Sequence, residues 1–303
     1  MWWILRLLPA HWLTFVKRHT PPRLRFALRQ KLGADYRKIP DRIITVPDGR
    51  RFHIGPDVVY WAINQGLEYE PEATAVVRRL LRPGDIVADV GANVGWYATL
   101  CATMIGDGGH VYAFEPVPST AARLAENVAL NELGERVTIV EMAVGASIGA
   151  PRTIHLFDDR SPALASLSTL GTERFTSIQV AVTTLDTFLH EANATRLDLL
   201  KCDVEGGELE VLRGAAGLLS QDRAPVVLIE LNGETARQFG HTKQDIMALL
   251  QQSGYAHFFE ITDARSLRRV RELRELDSMD LLLAGKDLQL RGRLDSSGLR
   301  VRG

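Results

Sequence analysis

The chain has 303 residues, 46% of them hydrophobic, enough to bury one substantial core as one large domain or two small ones. A formal net charge of −1 excludes a protein that is basic throughout. Its two cysteines, Cys101 and Cys202, stand far apart and form neither a disulfide framework nor a thiolate metal pattern, which fits a reducing compartment.

The average charge hides an asymmetry. Residues 1–40 hold nine of the 36 lysines and arginines but only one of the 37 acidic residues, Asp35, so a basic arm is joined to an acidic body. The arm begins MWWILRLLPAHWLTFVKRH, where Arg6, Pro9 and His11 interrupt the apolar run. A membrane span needs roughly 20 predominantly apolar residues, and a secretory signal needs a small-residue cleavage site. Neither is found here, so the reading is cytoplasmic. Residues 1–20 fit two alternatives: an amphipathic helix making peripheral membrane contact, or a helical extension packed on the body or on a second subunit.

After the arm, β-like runs at 43–46 and 51–54 flank the turn signal Pro47-Asp48-Gly49 and predict a hairpin. Helical spacing of Ala73, Val76, Val77, Leu80 and Leu81 predicts a helix over 71–81. Strand-like runs at 86–90, 110–115, 137–140, 197–202 and 226–231 then alternate with helices near 95–105, 118–131, 207–219 and 242–253. A run at 279–284, after an Arg/Glu/Leu-rich helical segment, closes the series. This alternation predicts a doubly wound α/β fold around a parallel sheet. A strand pair at 153–157 and 178–183 reads as an insertion. The expected division is a basic extension over 1–68, a catalytic domain over 69–285, and a flexible polar tail over 286–303.

Chemistry concentrates at two strand ends. The first runs Asp85-Ile-Val-Ala-Asp89-Val-Gly91-Ala-Asn93-Val-Gly95-Trp96, a buried strand that turns through glycines into a helix. In open α/β sheets such a turn binds nucleotides. Gly91-x-Asn93-x-Gly95 is not the dinucleotide spacing, and Asp89 would repel a pyrophosphate, whereas the methionine ammonium of S-adenosylmethionine can use a carboxylate. Twenty residues after Gly95, Glu115 ends the next strand, placed to accept hydrogen bonds from both ribose hydroxyls, and Pro116 follows it. Ala143, in the loop after the third strand, is either a backbone contact to the adenine or part of an ordinary turn.

The second end is Asp198-Leu-Leu-Lys201-Cys202-Asp203-Val204-Glu205-Gly206-Gly207-Glu208. Alternation puts Lys201, Asp203 and Glu205 on one strand face, toward the cofactor across the switch point, while Cys202 and Val204 face the core. Methyl transfer calls for alignment, and a protic acceptor also calls for a nearby base. Asp203 and Glu205 are the candidates, Asp203 to position and Glu205 as base or support, with Lys201 orienting a carboxylate or purely structural. Asp203, Glu205 and Glu230 are the residues that would have to converge on a metal, but no histidine joins them and none is expected. Asn232 is either a rim contact or a turn residue.

The segments Asp89-Val-Gly-Ala-Asn93-Val-Gly95, Phe114-Glu115-Pro116 and Leu124-x-x-Asn127-x-x-x-Asn131 together resemble the FkbM methyltransferase pattern. So do Leu185-Asp186 and the run from Asp198 through Glu208 to Val211-Leu212-x-Gly214-Ala215. The resemblance spans about residues 70–260. Cys202 stands where a branched aliphatic is usual, and Gly207 where alanine is common. It implies a class I, Rossmann-like methyltransferase sheet of about seven strands, S-adenosylmethionine as cofactor, and a sugar, glycolipid or natural-product hydroxyl as acceptor. The alternative is a nucleic-acid methyltransferase using the basic arm. The acidic body and the absent Asn/Asp-Pro-Pro-aromatic motif weigh against it.

Overall fold

The computed structural model describes residues 40–55, 63, 68–157, 175–271 and 281–302. The arm over 1–39, with both readings of it, lies outside the described residues, as does the helical segment expected before residue 281. An antiparallel hairpin, β1 (Arg42–Thr45) and β2 (Arg51–Ile54), precedes α1 (Pro71–Leu80), β3 (Ile86–Val90), α2 (Trp96–Ile105), β4 (His110–Phe114), α3 (Pro118–Leu130) and β5 (Val137–Val140). Short strands β6 (Ala143–Val144) and β9 (Val182–Thr183) pair around a second hairpin, β7 (Arg152–Phe157) with β8 (Phe175–Val180). There follow α4 (Leu185–Glu191), β10 (Leu199–Cys202), α5 (Glu208–Arg213), α6 (Ala216–Ser220), β11 (Val226–Glu230), α7 (Gly233–Gln238) and α8 (Lys243–Gln252). The chain continues through β12 (His257–Asp263), β13 (Ser266–Arg269), β14 (Leu281–Gly285), α9 (Asp287–Ser297) and β15 (Arg300–Arg302).

The main sheet runs β15-β13-β12-β14-β11-β10-β3-β4-β5. Strands β5, β4, β3, β10 and β11 are parallel, and β14 and β12 join antiparallel. The chain leaves β3 toward β4 and β5, then returns as β10 on β3's other side, so the topological switch point lies between β3 and β10. Period-2 alternation divides the side chains between two cores. Val87, Leu199 and Leu228 face one layer with Val76, Leu100 and Leu124, while Ala88, Leu200 and Ile229 face the other with Leu185, Leu212 and Leu250. This is the expected doubly wound α/β architecture, with β12, β13 and β15 not foreseen. No helix among the described residues is long and apolar enough to cross a membrane.

The tail expected over 286–303 is a correction. Its polar sequence hides α9, anchored by Arg293, which is 4% exposed. The Arg293 guanidinium grips Asp85 bidentately, at 2.6 and 2.9 Å, and reaches Asp198 at 3.2 Å. These two carboxylates sit at the amino ends of β3 and β10, opposite the candidate site. The helix expected over 207–219 is broken into α5 and α6 at Gly214. A Cβ there would stand 2.0 Å from the Gly145 carbonyl oxygen.

Candidate active site

The carboxyl ends of β3, β4 and β10 enclose a cleft. After β3 the backbone turns through left-handed conformations at Gly91 (φ 80°), Asn93 (φ 51°) and Gly95 (φ 92°). A Cβ on Gly91 would lie 1.8 Å from the Asp203 carbonyl oxygen, so the β3 and β10 turns approach too closely for any side chain. A Cβ on Gly95 would strike Leu124 of α3 at 2.5 Å. Gly91 therefore shapes the cleft, whereas Gly95 sets how α3 packs against the turn.

Glu115, one residue past β4, is 7% exposed. Its Oε2 accepts the Asn93 N–H and its Oε1 the Val117 N–H, both at 3.0 Å. Burial outweighs these bonds and pushes the carboxyl up to about 7. Gly91, Asn93, Glu115, Pro116 and Ala143 all line the cleft, and Ala143 does so from β6. Asn93 Oδ1 and Thr120 Oγ1, also on its walls, are buried without hydrogen-bond partners among the described residues. A carboxylate, an amide oxygen and a hydroxyl around an apolar slot match the hydroxyls and base of a nucleoside. The residues present therefore fit S-adenosylmethionine.

Asp89 is placed differently from the sequence reading. It is fully buried and does not line the cleft. The β3–β10 register sets it directly opposite Lys201. Lys201 Nζ lies 3.5 Å from Asp89 Oδ1, 3.3 Å from Asp203 Oδ2 and 3.2 Å from the Gly91 carbonyl oxygen, to which it donates. Burial alone would discharge Lys201, but Asp203 and Asp89 more than offset it and hold the ammonium charged. Burial lifts the Asp89 carboxyl above its usual range against the pull of Lys201. Lys201 thus cross-links the two turns from behind the cleft.

β10 ends at Cys202, so Lys201, Asp203 and Glu205 do not extend along one continuous strand face. Glu205 takes a left-handed conformation (φ 54°) before Gly206 and Gly207. Glu208, nearly buried, accepts the Val204 and Gly206 N–H groups and pins this turn. Asp203 and Glu205 line the cleft. Glu230, ending β11, joins them, and single carboxylate oxygens of the three lie within 4.8 Å of one another. Burial, then the charge of Asp203, push the Glu230 carboxyl well above the usual range, and its side chain hydrogen-bonds Asp203. Burial raises Asp203 as well, but Lys201 and the Glu230 bond bring it below the ordinary carboxylate value. The two carboxyls of this hydrogen-bonded pair are thus pushed in opposite directions.

Glu70 sits at the amino end of α1 with φ 44° and accepts the Tyr97 hydroxyl at 2.8 Å. Trp96 is structural: its Nε1 donates to Thr74 Oγ1 and its ring stacks on Phe52. Asn232 is the cap of α7, its Oδ1 accepting from Glu234 and Thr235. Sequence reasoning missed the pairing of Lys201 with Asp89 and the Glu230–Asp203 bond. The first was open to inference, because a lysine in one buried strand needs an anion in the strand beside it.

A family model described as Methyltransferase FkbM domain matches residues 89–256, more than half of the chain. The hexuronic acid methyltransferase AglP of Haloferax volcanii is 28% identical over 186 residues, 59% of this chain and 67% of that protein. The 31-O-demethyl-FK506 methyltransferase FkbM of Streptomyces tacrolimicus is 31% identical over 164 residues, 44% of this chain and 60% of its own. The chain thus spans about two thirds or less of these curated relatives. A solved structure of Methyltransferase FkbM from Methylobacillus flagellatus KT aligns at 18% identity with a TM-score of 0.40, over 74% of this chain and 52% of that one.

Proposed function

Because the chain belongs to the FkbM methyltransferase family and uses S-adenosylmethionine, we propose that it O-methylates a hydroxyl of a sugar, glycolipid or natural-product acceptor. The observation that carries this reading is the carboxylate cluster of Asp203, Glu205 and Glu230, at the strand ends beside the nucleoside-shaped cleft. Two relatives support it by their names, which specify a hexuronic acid and 31-O-demethyl-FK506 as the molecules they methylate.

Glu115, Asn93 and Thr120 would hold the nucleoside, and the Gly91 turn would take the closest backbone approach. When bound, S-adenosylmethionine supplies a methyl group on a positively charged sulfur. The chain's own residues must align the acceptor oxygen and accept its proton as the new bond forms. Lys201 and Glu230 keep Asp203 anionic and fixed, which suits it to accept a hydrogen bond from the acceptor and aim the oxygen. Glu205, turned out of the strand by its left-handed backbone, takes the proton.

Glu205→Gln and Asp203→Asn separate these roles. Both should leave the dissociation constant for S-adenosylhomocysteine within about threefold of the parent. Turnover should fall by roughly 10²–10⁴ in the Glu205 variant, the usual worth of a general base. A Glu205→Gln enzyme with near-parental turnover would remove Glu205 as the base. Lost cofactor binding in Asp203→Asn would make Asp203 a cofactor residue instead.

A further inference from the structure

Three side chains from three parts of the fold hold the backbone of the turn after β3. Lys201 of β10 donates to the Gly91 carbonyl at 3.2 Å, and Glu115 accepts the Asn93 N–H at 3.0 Å. Asn127 of α3 donates through Nδ2 to the Val94 carbonyl at 2.8 Å. Gly91, Asn93 and Glu115 line the cofactor cleft, whereas Asn127 is fully buried outside it.

Asn127 belongs to a stripe along α3. Leu124, Asn127 and Asn131 are spaced three and four residues apart, which puts them on one helix face. Leu124 lies against Gly95, where a Cβ would come within 2.5 Å of its side chain. Asn131 reaches β2 instead, its Oδ1 accepting the Arg51 N–H at 2.8 Å and its Nδ2 donating to the Arg51 carbonyl at 2.7 Å. Asn127 stands between them and joins both segments, because its Oδ1 also accepts the His53 N–H of β2 at 2.7 Å. A rotated amide would set N–H against N–H and oxygen against oxygen, so these two partners fix its orientation.

Packing alone does not call for an amide here, since Leu124 fills the same helix face one turn earlier. What the amide adds is a donor for a carbonyl set between two left-handed residues, Asn93 (φ 51°) and Gly95 (φ 92°). A non-glycine residue keeps that conformation only where its surroundings hold it. We propose that Asn127 is a positioning residue for S-adenosylmethionine, acting from outside the cleft. By bonding the Val94 carbonyl it keeps the turn in the shape that forms the cleft wall. By bonding the His53 N–H it makes the β1–β2 hairpin part of the same support. Without this tether the Val94 peptide can rotate, and the neighbouring Asn93 N–H loses its alignment on Glu115. The inference rests on cofactor binding alone and is independent of which acceptor is methylated.

The test is calorimetric titration of the full chain with S-adenosylhomocysteine at pH 8, well below each protein's melting midpoint. Asn127→Asp keeps the acceptor for His53 but turns an oxygen toward the Val94 carbonyl in place of the donor. It should raise the dissociation constant by about tenfold or more, the worth of one buried hydrogen bond. Asn127→Ala brings no charge into the core and should show the same loss, so it supplies the reading where the aspartate variant does not fold. Asn131→Ala loosens the same hairpin without reaching the turn. It should lower the melting midpoint yet leave the dissociation constant within about twofold of the parent. Amide hydrogen exchange at Asn93 in the unliganded protein should quicken in the Asn127 variants and not in Asn131→Ala. The proposal is overturned if a folded Asn127 variant binds as the parent does, or if Asn131→Ala weakens binding as much as the Asn127 variants.

Discussion

Glu115 ties cofactor affinity to pH. Its carboxyl is pushed from 4.5 up to about 7 by burial, and its two oxygens already accept the backbone N–H groups of Asn93 and Val117. Ribose hydroxyls donate to the ionised form, so binding a nucleoside must expel the proton that Glu115 carries below pH 7. Affinity should be flat above about pH 8. It should weaken by about tenfold, ~1.4 kcal/mol, for each pH unit below 7, until the pKa of the complex is reached. Glu115→Gln should abolish the slope and lose roughly 1.5–3 kcal/mol of affinity at pH 8, the worth of a hydrogen bond to a charged group. Stability should move the opposite way. A carboxyl whose folded pKa is raised costs nothing below 4.5, costs progressively more as pH rises to 7, and carries the full cost above, here about 3 kcal/mol. Glu115→Gln should therefore melt higher than the parent at pH 8 and equally at pH 4.5. The assay is calorimetric titration with 5′-methylthioadenosine, which lacks the α-amino group of the methionine moiety and has nothing that titrates over the range, from pH 5.5 to 8.5. Parental affinity that is flat across that range, or an unchanged slope in the variant, would refute the linkage.

Two further outcomes concern the frame around the site. Arg293→Ala strands Asp85 and Asp198 without their shared buried cation and should cost about 3–5 kcal/mol. Arg291→Ala, which removes only an exposed pair with Asp287, should cost under about 1 kcal/mol. Equal thermal melting of the two variants would contradict the anchoring role of α9. Gly91→Ala should abolish binding of S-adenosylhomocysteine, because its Cβ would collide with the Asp203 carbonyl while φ is +80°. Gly49→Ala, at φ +90° but with open space around it, should cost only about 1–2 kcal/mol of stability and spare binding. Saturable binding by the Gly91 variant would show that the two turns can part.

The sheet was legible because its signals are local. Apolar runs such as Ile86–Val90 and Val226–Glu230 are bounded by turn residues and separated by helical periodicity. The glycine turn and Glu115 were legible for the same reason, being short motifs at strand ends. What escaped depends on partners far away in sequence. Arg293 reads as one more charge in a polar tail until the fold sets it beside Asp85, 208 residues earlier. Asp89 reads as a cofactor contact until the strand register sets it across from Lys201. Glu205 reads as the end of an alternating strand, yet the strand stops at Cys202 and the backbone turns left-handed at Glu205 and Gly206.

Transfer of a labelled methyl group from S-adenosylmethionine to a panel of glycosides and polyhydroxylated natural products, with the product's methylated atom assigned by NMR, tests the proposed function most directly. The expected product is a methyl ether on a former hydroxyl, formed by the parent and nearly lost in Glu205→Gln. A methyl group found on nitrogen or carbon, or an ether formed equally well by that variant, would contradict it.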